Sequence, residues 1–375
     1  MIMKGDKKLE IHGGNIHKIK REKSIEVLDY SSNINSYPLP ESLKEEIMKK
    51  FEGVLVYPDP DYVELRESLA EYCGVNSKYI TVGNGATELI FLYMKASCAK
   101  RVLILSPTFA EYERAVIAAG GEVFYFELKE KDGFKADINK LKKEITEGNY
   151  DTVVICNPNN PTGVLTELEN IEEIYKVCEV SNTKLFIDEA FIEFTLKGLE
   201  NSAVKFGIEC KNLFIVRAFT KFFAMPGIRL GYSICFNEEL NRKMSELKEP
   251  WSVNWFADVA GKFMVKESEF IINSKKKIEE EKNYMKEELS KIRNLKFYES
   301  DSNFILINLI NGRSSEIQEK MIEKGIMIRE CKNFKYLNEK FIRVAIKNRE
   351  SNKKFIESLK TAVSEEKDEF IERNS

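Results

Sequence analysis

Histidine is nearly missing from this chain: its 375 residues include only His12 and His17, both near the N-terminus. A histidine-rich metal site therefore lacks its ligands, and a Ser-His-Asp triad would have to recruit one of these two. Paired cysteine spacing is missing as well. The seven cysteines are an odd number without a CxxC pair, and several lie inside apolar runs, which fits reduced thiols in a cytoplasmic protein. No apolar run approaches membrane-spanning length, and the opening MIMKGDKKLEIHGG lacks a signal-peptide core, so secretion and membrane insertion are disfavoured. Nor does one sign of charge dominate. With 58 basic and 61 acidic residues the formal net charge is −3, which offers no overall attraction to nucleic acid or to an anionic membrane. The mixed-charge stretch from Lys275 to Lys291 has helical spacing and reads as a solvated helix face.

What is present is an ordinary enzyme-sized composition, 43% hydrophobic and 11% aromatic, long enough for two domains sharing a large core. From about Gly83, short apolar runs alternate with helix-length amphipathic segments: RVLILS at Arg101, EVFYFEL at Glu122, TVVIC at Thr152, KLFID at Lys184, NLFIV at Asn212 and RLGYSIC at Arg229. Such near-continuous runs suit strands buried on both faces of a mostly parallel sheet, an α/β architecture whose ligand site lies on the loops after the strands. After Trp251 one long helical stretch, roughly Ser252 to Ile292, precedes a smaller α+β alternation, a closing helix near Arg349 to Val363 and a charged, frayed end. The expected division is an N-terminal segment (1–50) packing with the small domain, a large domain (51–255), a long connecting helix (256–290) and a small C-terminal domain (291–375).

Chemistry concentrates around Lys221. It lies between two apparent strands, next to Phe222 and Phe223, whose apolar rings would favour the neutral, nucleophilic amine. Asp188 ends the run KLFID, and Arg229 follows eight residues after the lysine. An amine that holds an aldehyde coenzyme needs an anion for the coenzyme's ring nitrogen and a cation for its phosphate. Asp188 alone would equally serve as a helix N-cap. Gly83-Asn84-Gly85-Ala86-Thr87-Glu88 precedes the helix-forming LIFLYMKA, where backbone amides and the helix dipole suit a phosphate, although a plain turn would account for this hexapeptide by itself. In NPNNPTG, Asn160 carries a donor amide able to reach a phenolic oxygen. Arg329 and Arg343 sit in apolar strands, either as solvated edge residues or as buried anion partners. Asn35 and His12 would line the same pocket, His12 alternatively being an exposed loop residue.

GNGATE, NPNNPTG, DEAF and TKFFAMPGIRLGY, in this order, resemble the fold-type I pyridoxal-phosphate enzymes of the aspartate-aminotransferase superfamily, class I/II. The likeness runs nearly end to end, and HGGN, DEAFIEF and PWSVN look most like the branch of L-threonine-O-3-phosphate decarboxylases, related to histidinol-phosphate aminotransferases. This resemblance implies a PLP-dependent transferase fold, with a seven-stranded sheet between helices and a small α+β domain. It implies pyridoxal 5′-phosphate anchored on Lys221, with Asp188 at the pyridine nitrogen, Asn160 at the phenolate oxygen and Phe109 stacked on the ring. The phosphate would rest on the amides of Gly85, Ala86 and Thr87, completed by Thr220, Arg229 and the Tyr57 of a neighbouring subunit, so that a homodimer shares its active sites. Arg329 and Arg343 would bind the acidic groups of a phosphorylated amino acid.

Two residues depart from common relatives. Ala218 stands where many carry a hydroxyl, and Phe191 replaces the tyrosine of DEAY, a change that favours the decarboxylase branch. The expected reaction is decarboxylation of L-threonine O-3-phosphate to (R)-1-aminopropan-2-yl phosphate in cobalamin biosynthesis. The alternative is an aminotransferase acting on histidinol phosphate or another amino acid. A third class, a pyridoxal-binding regulator, would need a DNA-binding domain, for which the residues before Leu28 are too few.

Overall fold

The computed structural model describes residues 12–374; residues 1–11, which open the expected N-terminal segment and hold most of the leader sequence considered above, and Ser375 lie outside the described residues. The strands, in chain order, are β1 (Leu28–Asp29), β2 (Ile80–Asn84), β3 (Arg101–Ser106), β4 (Glu122–Glu127), β5 (Thr152–Cys156), β6 (Lys184–Asp188), β7 (Leu213–Ala218), β8 (Leu230–Cys235), β9 (Leu295–Phe297), β10 (Phe304–Leu309), β11 (Ile326–Met327), β12 (Arg329–Glu330) and β13 (Phe341–Ala345). Seven of them form the central sheet, in the order β2-β8-β7-β6-β5-β3-β4. All its pairings are parallel except the two made by β8.

Burial on both faces explains the continuous apolar runs. Along β5, β6 and β7, Val153, Ile155, Leu185, Ile187, Leu213 and Ile215 join one core, while Val154, Phe186, Phe214 and Val216 join the core on the opposite face. The small unit is an antiparallel sheet, β12-β13-β10-β9, whose Ile305, Ile307, Ile342 and Val344 pack with Phe355 and Leu359 of the closing helix. Its other face, Phe304, Leu306 and Phe341, belongs to the core of the large unit. Phe304 meets Phe191 edge to face at 5.0 Å, so the wall between the units is apolar and aromatic.

Four features differ from expectation. The stretch from Ser252 to Ile292 is two helices, Trp255–Met264 and Ser268–Ser290, separated where Glu267 turns out of the helical region. The second spans both cores, with Phe270 and Ile278 in the large one and Met285 and Leu289 in the small one. The N-terminal segment divides between the units: β1 pairs in parallel with β11 and Tyr30 enters the small core, whereas Leu43 of the helix Glu41–Lys49 enters the large one. Strand β2, at the sheet's edge, has no counterpart in the sequence reading, and the closing helix runs Arg349–Asn374, past the residues expected to fray.

Candidate active site

The C-terminal ends of β3, β5, β6 and β7 converge on one end of the central sheet, and the two antiparallel pairings of β8 bring the end of β2 and the start of β8 to that same end. Asp188 closes β6, the loop carrying Asn160 follows β5, and Lys221 lies on the single helical turn Phe219–Phe222 after β7, rather than on an open loop. Gly231 lets the helix Ala86–Ala96 start against the sheet, since a Cβ there would come within 2.3 Å of the Ala86 backbone nitrogen. Gly85, at φ +78°, precedes that helix, and a Cβ on it would lie 2.5 Å from Arg229 Nη2. The first amides of the helix and the Arg229 guanidinium therefore crowd onto one small space, an arrangement suited to a phosphate.

Two connected chambers share Thr87, Phe109, Asn160, Phe191 and Lys221. The inner one, about 120 Å³, is lined in addition by Ala86, Tyr112, Asp188, Ala218, Thr220 and Arg229. The outer one, about 310 Å³, opens toward His12, Glu111, Arg114, Arg329 and Arg343.

Asp188 is buried, and burial pushes its carboxyl up to about 6 even though the Tyr112 hydroxyl donates to Oδ2 at 2.6 Å and the Ala190 amide to Oδ1 at 2.8 Å. A desolvated carboxylate held by two fixed donors is ready for a cationic ring nitrogen. Burial also brings the Lys221 amine down to about 8, helped by the nearby Arg343 and Arg229 guanidiniums; its remaining exposure is to the cavity it lines. Near neutral pH a usable fraction of that amine is an unprotonated nucleophile. Behind Asp188, the buried Glu189 carboxylate pairs with Arg217 at 2.9 and 3.0 Å and accepts from Ser202, fixing the turn that follows β6.

Arg329 and Arg343 face each other in the β12–β13 register and are only 6% and 5% exposed. The Arg343 Nη1 donates to Asn160 Oδ1 and Nη2 to the Ser31 carbonyl at 2.6 Å, both neutral acceptors, and its Nε is buried without a hydrogen-bond partner. Burial lowers Arg343 to about 10. Arg329 Nη2 donates to Asn333 Oδ1 at 2.8 Å, and the guanidinium lies over Phe334. The buried Arg343 guanidinium, held only by neutral acceptors and with its Nε unpartnered, makes this wall suited to an anion.

Pyridoxal 5′-phosphate fits the donors present. The helix start with Thr87, Thr220 and Arg229 would take the phosphate, and Asp188 the ring nitrogen. Because Arg343 occupies the Asn160 oxygen, the Asn160 Nδ2 is the part free to meet a phenolic oxygen. Phe109 lines both chambers, and Lys221 stands at their junction.

One expected site residue lies elsewhere. Asn35 lines neither chamber: its Nδ2 donates to the Phe222 carbonyl at 2.8 Å and to Ser274 Oγ at 2.9 Å, and its backbone amide donates to the Lys221 carbonyl. It braces the lysine's turn from behind. Tyr57, expected to serve the site of a neighbouring subunit, is 78% exposed and packs on Trp251 at 4.7 Å, outside the cavity of its own chain. Sequence reasoning gave no role to Tyr112, Glu111 or Arg114. The available signal was the motif PTFAEY, in which Phe109 precedes and Tyr112 enters the helix Glu111–Ala118; both line the inner chamber.

A family model described as aminotransferase class I and II matches residues 25–359. A protein of Caldanaerobacter subterraneus provisionally named threonine-phosphate decarboxylase is 42% identical over 349 residues, which span 93% of each chain. The threonine-phosphate decarboxylase of Salmonella typhimurium is 31% identical over 356 residues, spanning 94% of this chain and 96% of its own. Among solved structures, the histidinol-phosphate aminotransferase from Clostridium acetobutylicum superposes with a TM-score of 0.85 at 37% identity, covering 90% of this chain and 100% of that one.

Proposed function

This chain belongs to the class I and II aminotransferase family, and from that premise we propose that it is a pyridoxal-phosphate-dependent decarboxylase converting L-threonine O-3-phosphate to carbon dioxide and (R)-1-aminopropan-2-yl phosphate. Bound pyridoxal phosphate would supply an electron sink for the pair released when a bond at the substrate's α-carbon breaks. The chain's own residues do the rest. Lys221 offers the amine that holds the coenzyme, and Asp188 keeps a proton on the ring nitrogen. Arg329 and Arg343 set the orientation of the substrate, and so decide which α-carbon bond stands perpendicular to the ring and breaks.

The observation that carries this reading is the buried Arg343, held by neutral acceptors, on an outer chamber whose described lining also holds Lys221, Arg114 and one carboxylate, Glu111. Threonine phosphate brings two anionic groups, a carboxylate and a phosphate, whereas histidinol phosphate brings only the phosphate. Phe191, buried where both chambers meet, supports the same branch, because it cannot donate the hydroxyl bond that a tyrosine would. The aminotransferase reading is favoured by the superposition on a histidinol-phosphate aminotransferase.

We also read the protein as a homodimer with shared active sites and as cytoplasmic. Tyr57 lies on a surface with exposed Leu55, Val56, Phe51, Trp251 and Phe256, an apolar area suited to burial against a second copy. All seven cysteines are free and five are buried, in keeping with a reducing compartment. No helix among the described residues is long and apolar enough to cross a membrane.

The test is to incubate the coenzyme-loaded protein with L-threonine O-3-phosphate and measure carbon dioxide together with the phosphorylated aminopropanol. Stoichiometric release of both is expected. No release, together with amino transfer to a 2-oxo acid, would establish the aminotransferase reading instead.

A further inference from the structure

We propose that Glu111 is a positioning residue that holds the strap His12-Gly13-Gly14 across the mouth of the outer chamber and thereby sets affinity for the phosphorylated substrate. Glu111 is only 4% exposed, and a buried carboxylate is costly unless it is paired. Its Oε1 lies 2.7 Å from His12 Nε2 and 2.6 Å from Arg114 Nη1, so one oxygen holds two groups, both on the chamber wall. Glu111 opens the helix Glu111–Ala118, where the helix dipole favours a negative charge and the backbone is rigid. The His12 ring rests 5.7 Å from the ring of Phe109, which closes the same wall.

The far side of the strap is tied to Ser31. The Gly14 amide donates to Ser31 Oγ at 2.7 Å, and a Cβ on Gly13 would stand 2.2 Å from the Ser31 carbonyl oxygen, an approach that only glycine allows. That same carbonyl accepts from Arg343 Nη2. A continuous path of contacts therefore runs from Glu111 on the large unit, through His12 and the two glycines, to Ser31 and the buried Arg343 of the small unit. The strap bridges the two walls that a substrate must touch, so releasing it at Glu111 loosens the seat of Arg343 as well as uncovering the chamber.

The effect on substrate affinity rests on the proposed function; docking of the strap does not. Two measurements on the holoenzyme separate them. Amide exchange at residues 13–17, measured without substrate, is expected to speed up about tenfold in Glu111→Ala, the equivalent of one charge-assisted hydrogen bond, and less in Glu111→Gln. With L-threonine O-3-phosphate, KM is expected to rise about tenfold in Glu111→Ala and in His12→Ala, with kcat falling by less than about threefold, and the double variant should be no worse than either single one. Should Glu111→Ala fail to fold, Glu111→Gln and His12→Ala carry both measurements. Unchanged exchange in the folded Glu111 variants, or KM increases that multiply in the double variant, would overturn the proposal. If the wild type releases no carbon dioxide yet the exchange result holds, the assigned reaction fails and the strap contact stands.

Discussion

Replacing Tyr112 by phenylalanine removes one hydroxyl from a fully buried ring and leaves Asp188 Oδ2 without its 2.6 Å donor. The contact reads the same way from both ends, since the tyrosine holds the Asp188 carboxyl down while Asp188 helps raise the tyrosine well above its ordinary value. A hydrogen bond to a carboxylate contributes about 1.5–3 kcal/mol. At 1.36 kcal/mol per pH unit, losing it should lift Asp188 by about another one to two pH units above its present value of about 6. The sign follows. Asp188 has a raised value in the folded protein, so its charged form, the one a cationic ring nitrogen needs, exists only above that value and is lost as pH falls through it. Coenzyme affinity in Tyr112→Phe should therefore fall about 3- to 25-fold at pH 6.5, as the charged fraction of Asp188 falls, and recover most of that loss by pH 9. Titrating the apoprotein with pyridoxal phosphate, followed by the coenzyme's absorbance, reads this directly. A change below about twofold at pH 6.5, or a loss equal at both pH values, would refute the electrostatic argument and leave only a packing role for the hydroxyl.

Lys221, lowered to about 8, is mostly protonated below that pH, so the rate at which the apoprotein takes up coenzyme should rise through pH 8 and then level off; stopped-flow absorbance would show it, and a flat profile from pH 6.5 to 9 would contradict the desolvated amine. Arg343→Lys keeps the charge but replaces a fork that reaches Asn160 and Ser31 at once with a single point, so KM for L-threonine O-3-phosphate should rise about 10- to 100-fold in steady-state kinetics, and an unchanged KM would remove Arg343 from the substrate wall.

Much of the fold could be read along the chain because β3 and β5 to β8 are buried on both faces, and burial of that kind writes itself into consecutive residues. The motif residues Asp188, Asn160, Lys221 and Arg229 were legible for a related reason: they sit at or just beside the ends of such strands, and Asn160 and Arg229 lie within a few residues of prolines and glycines that shape the connection. Where reading failed, the local signal was ambiguous. β2 is five residues long and contains a glycine, so ITVGN looked like a loop entering a helix. The two helices from Trp255 to Ser290 share one amphipathic rhythm, and the turn at Glu267 has no proline or glycine to announce it. Asn35 was placed in the pocket on its position near the start of the chain, whereas its amide is consumed by Phe222 and Ser274.

Residue order alone settled which kinds of group this chain has available: an amine flanked by phenylalanines, a carboxylate at a strand end, an anion-suited helix start and two arginines in apolar strands. Folding decided what those groups are worth to one another. Arg343 meets Asn160 across 183 residues and Ser31 across 312, and Tyr112 meets Asp188 across 76, distances over which no local pattern carries information. Hydrogen bonding and desolvation depend on separations of a few ångströms and on the exclusion of water, and both come into existence only when the two units close around the cavity.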